Sequence, residues 1–229
     1  MKAVLFDAGG TLFAERLARN ELYRETLADL GIALDTAAVA RLRAEVHDEL
    51  PEVFDGHARY SDGWFREFVR RLLARVGCRA DAETVRAGLA QHYLRADSFV
   101  VHGDVPPCLD ELLERGLRLG VVSNWSDRLP ALLEDLGLAR HFEVIVASAA
   151  FGRSKPDPAI FREALRRMDL RPGEVLHVGD HPQNDLAGAR RAGLHALLLR
   201  RLPSAAGADS IDAAQVLETL LDLPARLPP

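Results

Sequence analysis

A chain of 229 residues, of which 48% are hydrophobic, can bury a core sufficient for one or two domains, which excludes a disordered or fibrous protein. Its formal net charge of -5 offers no global attraction to nucleic acid or to an anionic membrane, so the expected partner is a small soluble molecule and no protein partner is called for. No apolar run approaches the roughly 20 residues that span a bilayer, and a buried strand beginning at Ala3 leaves no room for a signal peptide, so neither a membrane nor a secretory role is expected.

Residues 3–6 form a short apolar run ending at Asp7 and a glycine pair, which reads as a buried parallel strand opening into a turn. From about Phe13 to His102 the pattern is helical without a convincing buried strand. Within it Trp64, Phe65, Phe68, Val69, Leu72, Leu73 and Val76 make one wide apolar stripe, read as core rather than as a ligand shelf. Arg70-Arg71 and, later, Arg166-Arg167 read as solvated helix faces. The chain returns near residues 103–107, and residues 117–122 repeat the strand pattern up to Ser123-Asn124. A helix with Leu129, Leu132, Leu133 and Leu136 on one face ends at Gly137. Asp157-Pro158 reads as an N-cap and first-turn proline for a helix ending near Met168. Residues 175–178, ending at Gly179-Asp180, and 195–199 complete the series, and the tail from Pro224 is expected to fray. Cys78 and Cys108 both fall in segments that read as helix and lack a CxxC partner, as expected of reduced thiols in a cytoplasmic protein.

Strands alternating with helices predict an α/β fold, a doubly wound parallel, Rossmann-like sheet from residues 1–12 and 103–229, with residues 13–102 inserted as an all-helical domain. Ligands of such sheets lie beyond the carboxyl ends of the strands, where Asp7, Ser123 and Asp180 should converge. Of the 29 lysines and arginines only Lys2 and Lys155 are lysine, so an interior lysine at 155 is unlike the cations this chain otherwise uses. No GxGxxG follows the first strand and no GxxxxGK[ST] occurs, which sets aside dinucleotide and P-loop chemistry.

Asp7-Ala8-Gly9-Gly10-Thr11, Ser123-Asn124, Lys155-Pro156 and Gly179-Asp180 with Asp185 occur in that order. This ordered set resembles the four motifs of the haloacid dehalogenase superfamily, and the insertion falls where subfamily I members carry a helical C1-type cap. The resemblance implies a magnesium-dependent hydrolase of a small phosphorylated molecule. Asp7 would be the nucleophile that forms an aspartyl-phosphate. Mg²⁺ would be held by Asp7, the Gly9 carbonyl and Asp180. Ser123, Asn124 and Lys155 would hold the phosphoryl oxygens, Lys155 neutralising charge on nucleophile and phosphoryl group. Asp185 and His181 would support these residues from behind, Asp185 by orienting Lys155 or a metal-bound water.

The first motif departs from the family's phosphatase pattern, which has a second aspartate two residues after the nucleophile as acid and base. Gly9 stands there. It keeps a carbonyl but has no proton to give, a loss that typically lowers rate by about 10² to 10⁴. A good leaving group, or a donor from the insertion such as Glu15, Glu21, His57 or Asp62, would make good the loss. Two other readings remain: a metal- and phosphate-binding regulatory protein with little turnover, and a haloacid dehalogenase, whose branch resembles Asp-x-Tyr-Gly-Thr at the first motif, a tyrosine this chain lacks. A phosphonate-cleaving relative would need a lysine in the insertion, which has none.

Overall fold

The computed structural model describes residues 1–201 and 211–227. The chain divides into two compact units, Met1–Ala14 with Val101–Pro229, and Glu15–Val100. The first stretch holds strands β1 (Ala3–Phe6) and β2 (Phe13–Glu15). Then follow helices α1 (Arg19–Asp29) and α2 (Thr36–Glu49), strands β3 (Val53–Phe54) and β4 (His57–Ala58), helices α3 (Asp62–Arg75) and α4 (Ala82–Leu94), and strand β5 (Phe99–Val101). After α5 (Val105–Glu114), strand β6 (Arg118–Ser123), α6 (Leu129–Asp135), β7 (Val144–Ala147), α7 (Ser148–Phe151) and α8 (Pro158–Met168) come in turn. Strand β8 (Val175–Gly179), a π-helical turn (Pro182–Ala187), α9 (Gly188–Arg191), β9 (His195–Leu199), β10 (Val216–Leu217) and α10 (Leu223–Arg226) complete the described chain.

The first unit is built on one six-stranded sheet in the order β10-β9-β8-β1-β6-β7, every pairing parallel. All four residues of β1 are buried, as the centre of such a sheet requires. The strand has β6 on one side and β8 on the other, with Phe6 level with both Val121 and Val178. That is the switch point of a doubly wound sheet, where the chain leaves two neighbouring strands in opposite directions and a crevice opens. Asp7, Ser123 and Asp180 are therefore delivered to one end of three adjacent strands. On one flank Ile160, Phe161, Ala164, Leu165 and Met168 of α8 pack against the sheet. Asp157 caps this helix by accepting a hydrogen bond from the Ala159 N–H at 2.9 Å.

The sheet has two strands beyond the four read from the sequence. β7 is a four-residue strand, too short to show a period, and β10 contributes only two residues at the edge. The tail also differs from expectation. Leu223 and Pro224 are buried, the Pro224 carbonyl accepts from Arg115, and Arg226 donates to the carbonyls of Ala214 and Val216, so the chain is held as far as Leu227. Residues 228 and 229 lie outside the described residues. Cys108 does sit in α5, its thiol pushed up to about 12 by burial. Cys78, by contrast, follows Gly77 after the end of α3 and is not helical.

The 15–100 unit has its own core, in which Tyr23, Val39, Trp64, Phe68, Leu72 and Leu89 pack from all four helices. Two short strand pairs depart from the all-helical pattern expected of residues 13–102: the exposed or half-buried hairpin of β3 and β4, and β2 paired with β5, each of two or three residues per strand and so too short to leave an apolar period. The acids considered as proton donors are engaged within this unit: Glu15 with Arg19, Glu21 with Arg24 and Thr36, and Asp62 with Arg86 at 3.4 Å. Among the described residues no helix is long and apolar enough to cross a membrane.

Asp104 locks the start of α5 to the end of the chain. Its Oδ2 accepts hydrogen bonds from Arg201, Thr219 and the Leu220 N–H, each at 2.8 Å, and Arg201 also donates to the Thr11 carbonyl at 2.7 Å. Burial works against the charged carboxylate, but these donors outweigh it and hold Asp104 at about 2. A depressed carboxylate contributes stability that is complete above its ordinary value and lost as pH falls through the folded one. Asp104→Asn should therefore lower stability by about 1–2 kcal/mol at neutral pH, allowing for solvent around the pair. Melting curves of the two proteins should converge as pH falls from about 4 to about 2. A constant difference across that range would mean that Asp104 does not act through its charge.

Candidate active site

Lys155 stands at the centre of the three strand ends. Its ammonium donates to Oδ1 of Asp185 at 2.6 Å and lies 2.7 Å from Oδ1 of Asp7, a close ion pair without the direction of a hydrogen bond. Only 2% of the Lys155 side chain is exposed. Burial by itself would strip the proton from such a lysine, yet the two carboxylates, Asp185 first, more than reverse this and raise its affinity for the proton. The backbone is held as firmly. The Asn124 side chain receives the Lys155 N–H at 2.7 Å on its oxygen and donates from its nitrogen to the Lys155 carbonyl at 2.9 Å, just ahead of the cis peptide to Pro156. The Asn124 side chain is thus committed to the Lys155 backbone. Ser123, at the end of β6, is buried beside it.

Asp185 is fully buried and nearly saturated. Oδ1 receives Lys155 and the ring of His177 at 2.9 Å, while Oδ2 receives the His181 N–H at 3.0 Å. Burial would raise it, but Lys155 and then His177 hold it well below the usual carboxylate range. His181 acts here through its backbone. Its ring accepts the N–H groups of Gln183 and Asn184 at 3.2 Å and so caps the π-helical turn that carries Asp185.

Asp180 is exposed as a residue, but its carboxylate lies in a cluster with those of Asp7 and Asp185, one oxygen of each within 4.8 Å of the others. It is pushed up to about 7, by partial desolvation first and then by repulsion from Asp7 and Asp185. Thr11 donates to it at 3.3 Å. The turn after Asp7 is tight: Thr11 and Leu12 donate to the Ala8 carbonyl and Gly10 to that of Phe13. Gly10 has φ of 81°, and a Cβ there would stand 2.5 Å from Asp180, so this position admits only glycine.

Two residues of the site were not singled out in the sequence. His177, in the middle of β8, is wholly buried, edge-on to Phe161 at 5.0 Å, and fixes Asp185. Its signal was available: an imidazole inside the apolar run 175–178 needs a partner, although nothing in the run says which. Trp125 is the second. Its ring lies against Gly9, where an added Cβ would meet Cζ3 at 2.8 Å. No sequence pattern announces that contact.

The sequence model of a hydrolase family, haloacid dehalogenase-like hydrolase, matches residues 1–193. A glyceraldehyde 3-phosphate phosphatase from Methanopyrus kandleri is 33% identical over 88% of this chain and 84% of its own. Among solved structures, an HAD phosphatase from Thermococcus onnurineus is 26% identical with a TM-score of 0.69, covering 98% of this chain and 97% of that one. A 2-haloacid dehalogenase from Pseudomonas syringae pv. Tomato DC3000 is 28% identical with the same TM-score of 0.69, covering 99% and 97%.

Removing the charge of Asp185 would leave Lys155 with a single ion-pair partner in a buried site, a situation that typically costs about 3–5 kcal/mol. Asp185→Asn should therefore shift the urea midpoint of the protein strongly. His177→Gln, which retains a donor, should shift it by less than half as much. Equal losses in the two variants would show that Asp185 matters for its shape and not for its charge.

Proposed function

We propose that this chain, which belongs to the haloacid dehalogenase-like hydrolase family, is a magnesium-dependent phosphatase of small phosphorylated molecules that works through an aspartyl-phosphate on Asp7. The observation that carries this reading is the buried Lys155 ammonium set between Asp7 and Asp185, with the carboxylate of Asp180 alongside. Three carboxylates against one ammonium leave an excess of negative charge, which adds to burial in displacing Asp180 upward. All the donors are hard oxygens, so the residues fit Mg²⁺. Asp7, the Gly9 carbonyl and Asp180 would hold it. Asp185 is the less available ligand, since both of its oxygens already accept hydrogen bonds. When bound, Mg²⁺ supplies positive charge to the phosphoryl oxygens.

The chain's own residues do the rest. A carboxylate oxygen of Asp7 attacks phosphorus, the bond from phosphorus to the leaving oxygen breaks, and water then cleaves the acyl phosphate to return the carboxylate and free phosphate. Lys155, the Ser123 hydroxyl and the Asn124 N–H stabilise the charge that builds on the equatorial oxygens. Gly9 supplies no proton to the leaving oxygen, so esters whose leaving groups need none should react best. The 15–100 unit is proposed as the cap that selects the substrate. A cytoplasmic location belongs to the same reading, supported by two free cysteines, one of them buried.

Gly9 also favours a second reading, a phosphate- and metal-binding protein with little turnover. A metal-free dehalogenase is disfavoured by Asp180, which would add a third carboxylate to two that already share the single Lys155 ammonium.

Phosphate release from a panel of small phosphate esters, with and without Mg²⁺, should depend on the metal and fall to background in Asp7→Asn. Mg²⁺ binding that survives in a wild-type protein without turnover would favour the second reading. Asp180→Ala should weaken Mg²⁺ by about tenfold or more in calorimetry, equivalent to about 1.4 kcal/mol. Vanadate, a phosphate mimic, should slow hydrogen exchange in residues 11–13 and 102–105 if the 15–100 unit acts as a cap. Unchanged exchange there would remove that role.

A further inference from the structure

Two turns of the α/β unit begin at residues proposed to meet the phosphoryl group and bring together the residues two positions further on. From Asp7 the chain reaches Gly9, from Ser123 it reaches Trp125, and Gly9 and Trp125 touch. An ideal Cβ on Gly9 would lie 2.8 Å from Cζ3, 3.6 Å from Cη2 and 3.7 Å from Cε3 of the indole. The benzo edge of the ring thus occupies the direction that any side chain at position 9 would take. Backbone strain is not what keeps a side chain out, because Gly9 is absent from the glycines with positive φ. The ring does.

The backbone that carries the indole is anchored. The Trp125 carbonyl accepts the Ser148 hydroxyl at 3.3 Å and the Ala149 N–H at 3.1 Å, and the Trp125 backbone N–H donates to the Ser123 carbonyl at 3.0 Å. The ring meets the buried ring of Phe13 edge-on, with centroids 5.5 Å apart and planes at 89°. Trp125 remains half-buried, so part of its surface faces solvent. A phosphoryl group at Asp7 and Ser123 would therefore be flanked by a fixed apolar surface, on the side where position 9 offers neither acid nor hydrogen bond.

We propose that Trp125 is a specificity-determining residue that fills the place of a side chain at position 9 and selects phosphate monoesters whose leaving group is flat, apolar and stable as an anion, that is, aryl phosphates. The inference rests on the reading of Asp7 as a phosphoryl acceptor. Two properties of the substrate follow from one contact: a group that stacks on the indole, and a group that departs without a proton.

The test uses the full chain with 4-nitrophenyl phosphate and ethyl phosphate. Wild type should strongly prefer the aryl ester. In Trp125→Ala the ratio of kcat/KM for aryl over alkyl ester should fall by about three- to tenfold, with Trp125→Phe retaining most of it. A ratio unchanged in Trp125→Ala would overturn the proposal. Melting temperature supplies a second readout independent of turnover. Gly9→Ala in the wild-type background should melt about 3–10 °C lower because the ring must move, and much of that loss should vanish in the Trp125→Ala background. Equal losses in both backgrounds would show that the ring does not exclude a side chain at position 9, and would also overturn the proposal. Release of phosphate that Asp7→Asn does not diminish would instead refute the phosphatase reading, and the selectivity with it, while the steric coupling stayed measurable.

Discussion

Lys155 carries its ammonium group to a place where its side chain is almost wholly shielded from water. An ion so placed is tolerable only if opposite charge meets it at contact distance and its surroundings are themselves hydrogen-bonded. Both conditions recruit distant parts of the chain. Asp7 comes from the end of β1, Asp185 from the turn after β8, and the Asn124 amide from the loop after β6. Around this one charge the ends of three neighbouring strands have to be in register, and the parallel pairings of β1 with β6 and β8 provide that register.

The same constraint divides the carboxylates by task. Asp185 accepts three hydrogen bonds and is held ionised by them, so its charge is consumed in fixing Lys155. Asp180 receives the Thr11 hydroxyl at 3.3 Å, is exposed, and is repelled by its two neighbours. It is the carboxylate with most to gain from an added cation. An aspartate saturated with hydrogen bonds is committed to structure, whereas one left less satisfied is open to a ligand, and this pair shows how two aspartates five positions apart come to differ.

How much was legible in the sequence follows from the range of the interactions. β1, β8 and β9 are continuous apolar runs, and α8 announces itself by Asp157-Pro158, because these signals are local. β7 and β10 were missed because four residues and two residues carry no period; their strandhood depends on β6 and β9 lying beside them. Pro224 reads as a breaker in a terminal segment, yet Arg115 and Arg226 pin that segment through contacts no local pattern encodes. In the site, the motif residues could be named in order, but their partners could not. That Asn124 grips the Lys155 backbone, that His177 holds Asp185 and that His181 caps a turn with its ring are properties of the folded neighbourhood.

Gly9 illustrates the limit most sharply. As a letter in the first motif it reads as a missing carboxylate, which implies an empty place beside the nucleophile. In the fold the place is taken, by an indole that arrives from the loop after β6 and meets Phe13 edge-on, its backbone carbonyl tied to Ser148 at the start of α7. The two residues are therefore one feature: a side chain at 9 would displace the tryptophan at 125, and a glycine at 9 leaves it room. Local choices that agree in this way mark a consistent design, so the departure from the motif is better understood as a change of surface, from a polar group that donates a proton to an apolar one that excludes water. On the proposed phosphatase reading, chemistry next to that surface would proceed with leaving groups that need no help, and the part of the site that supplies charge is the part built around Lys155.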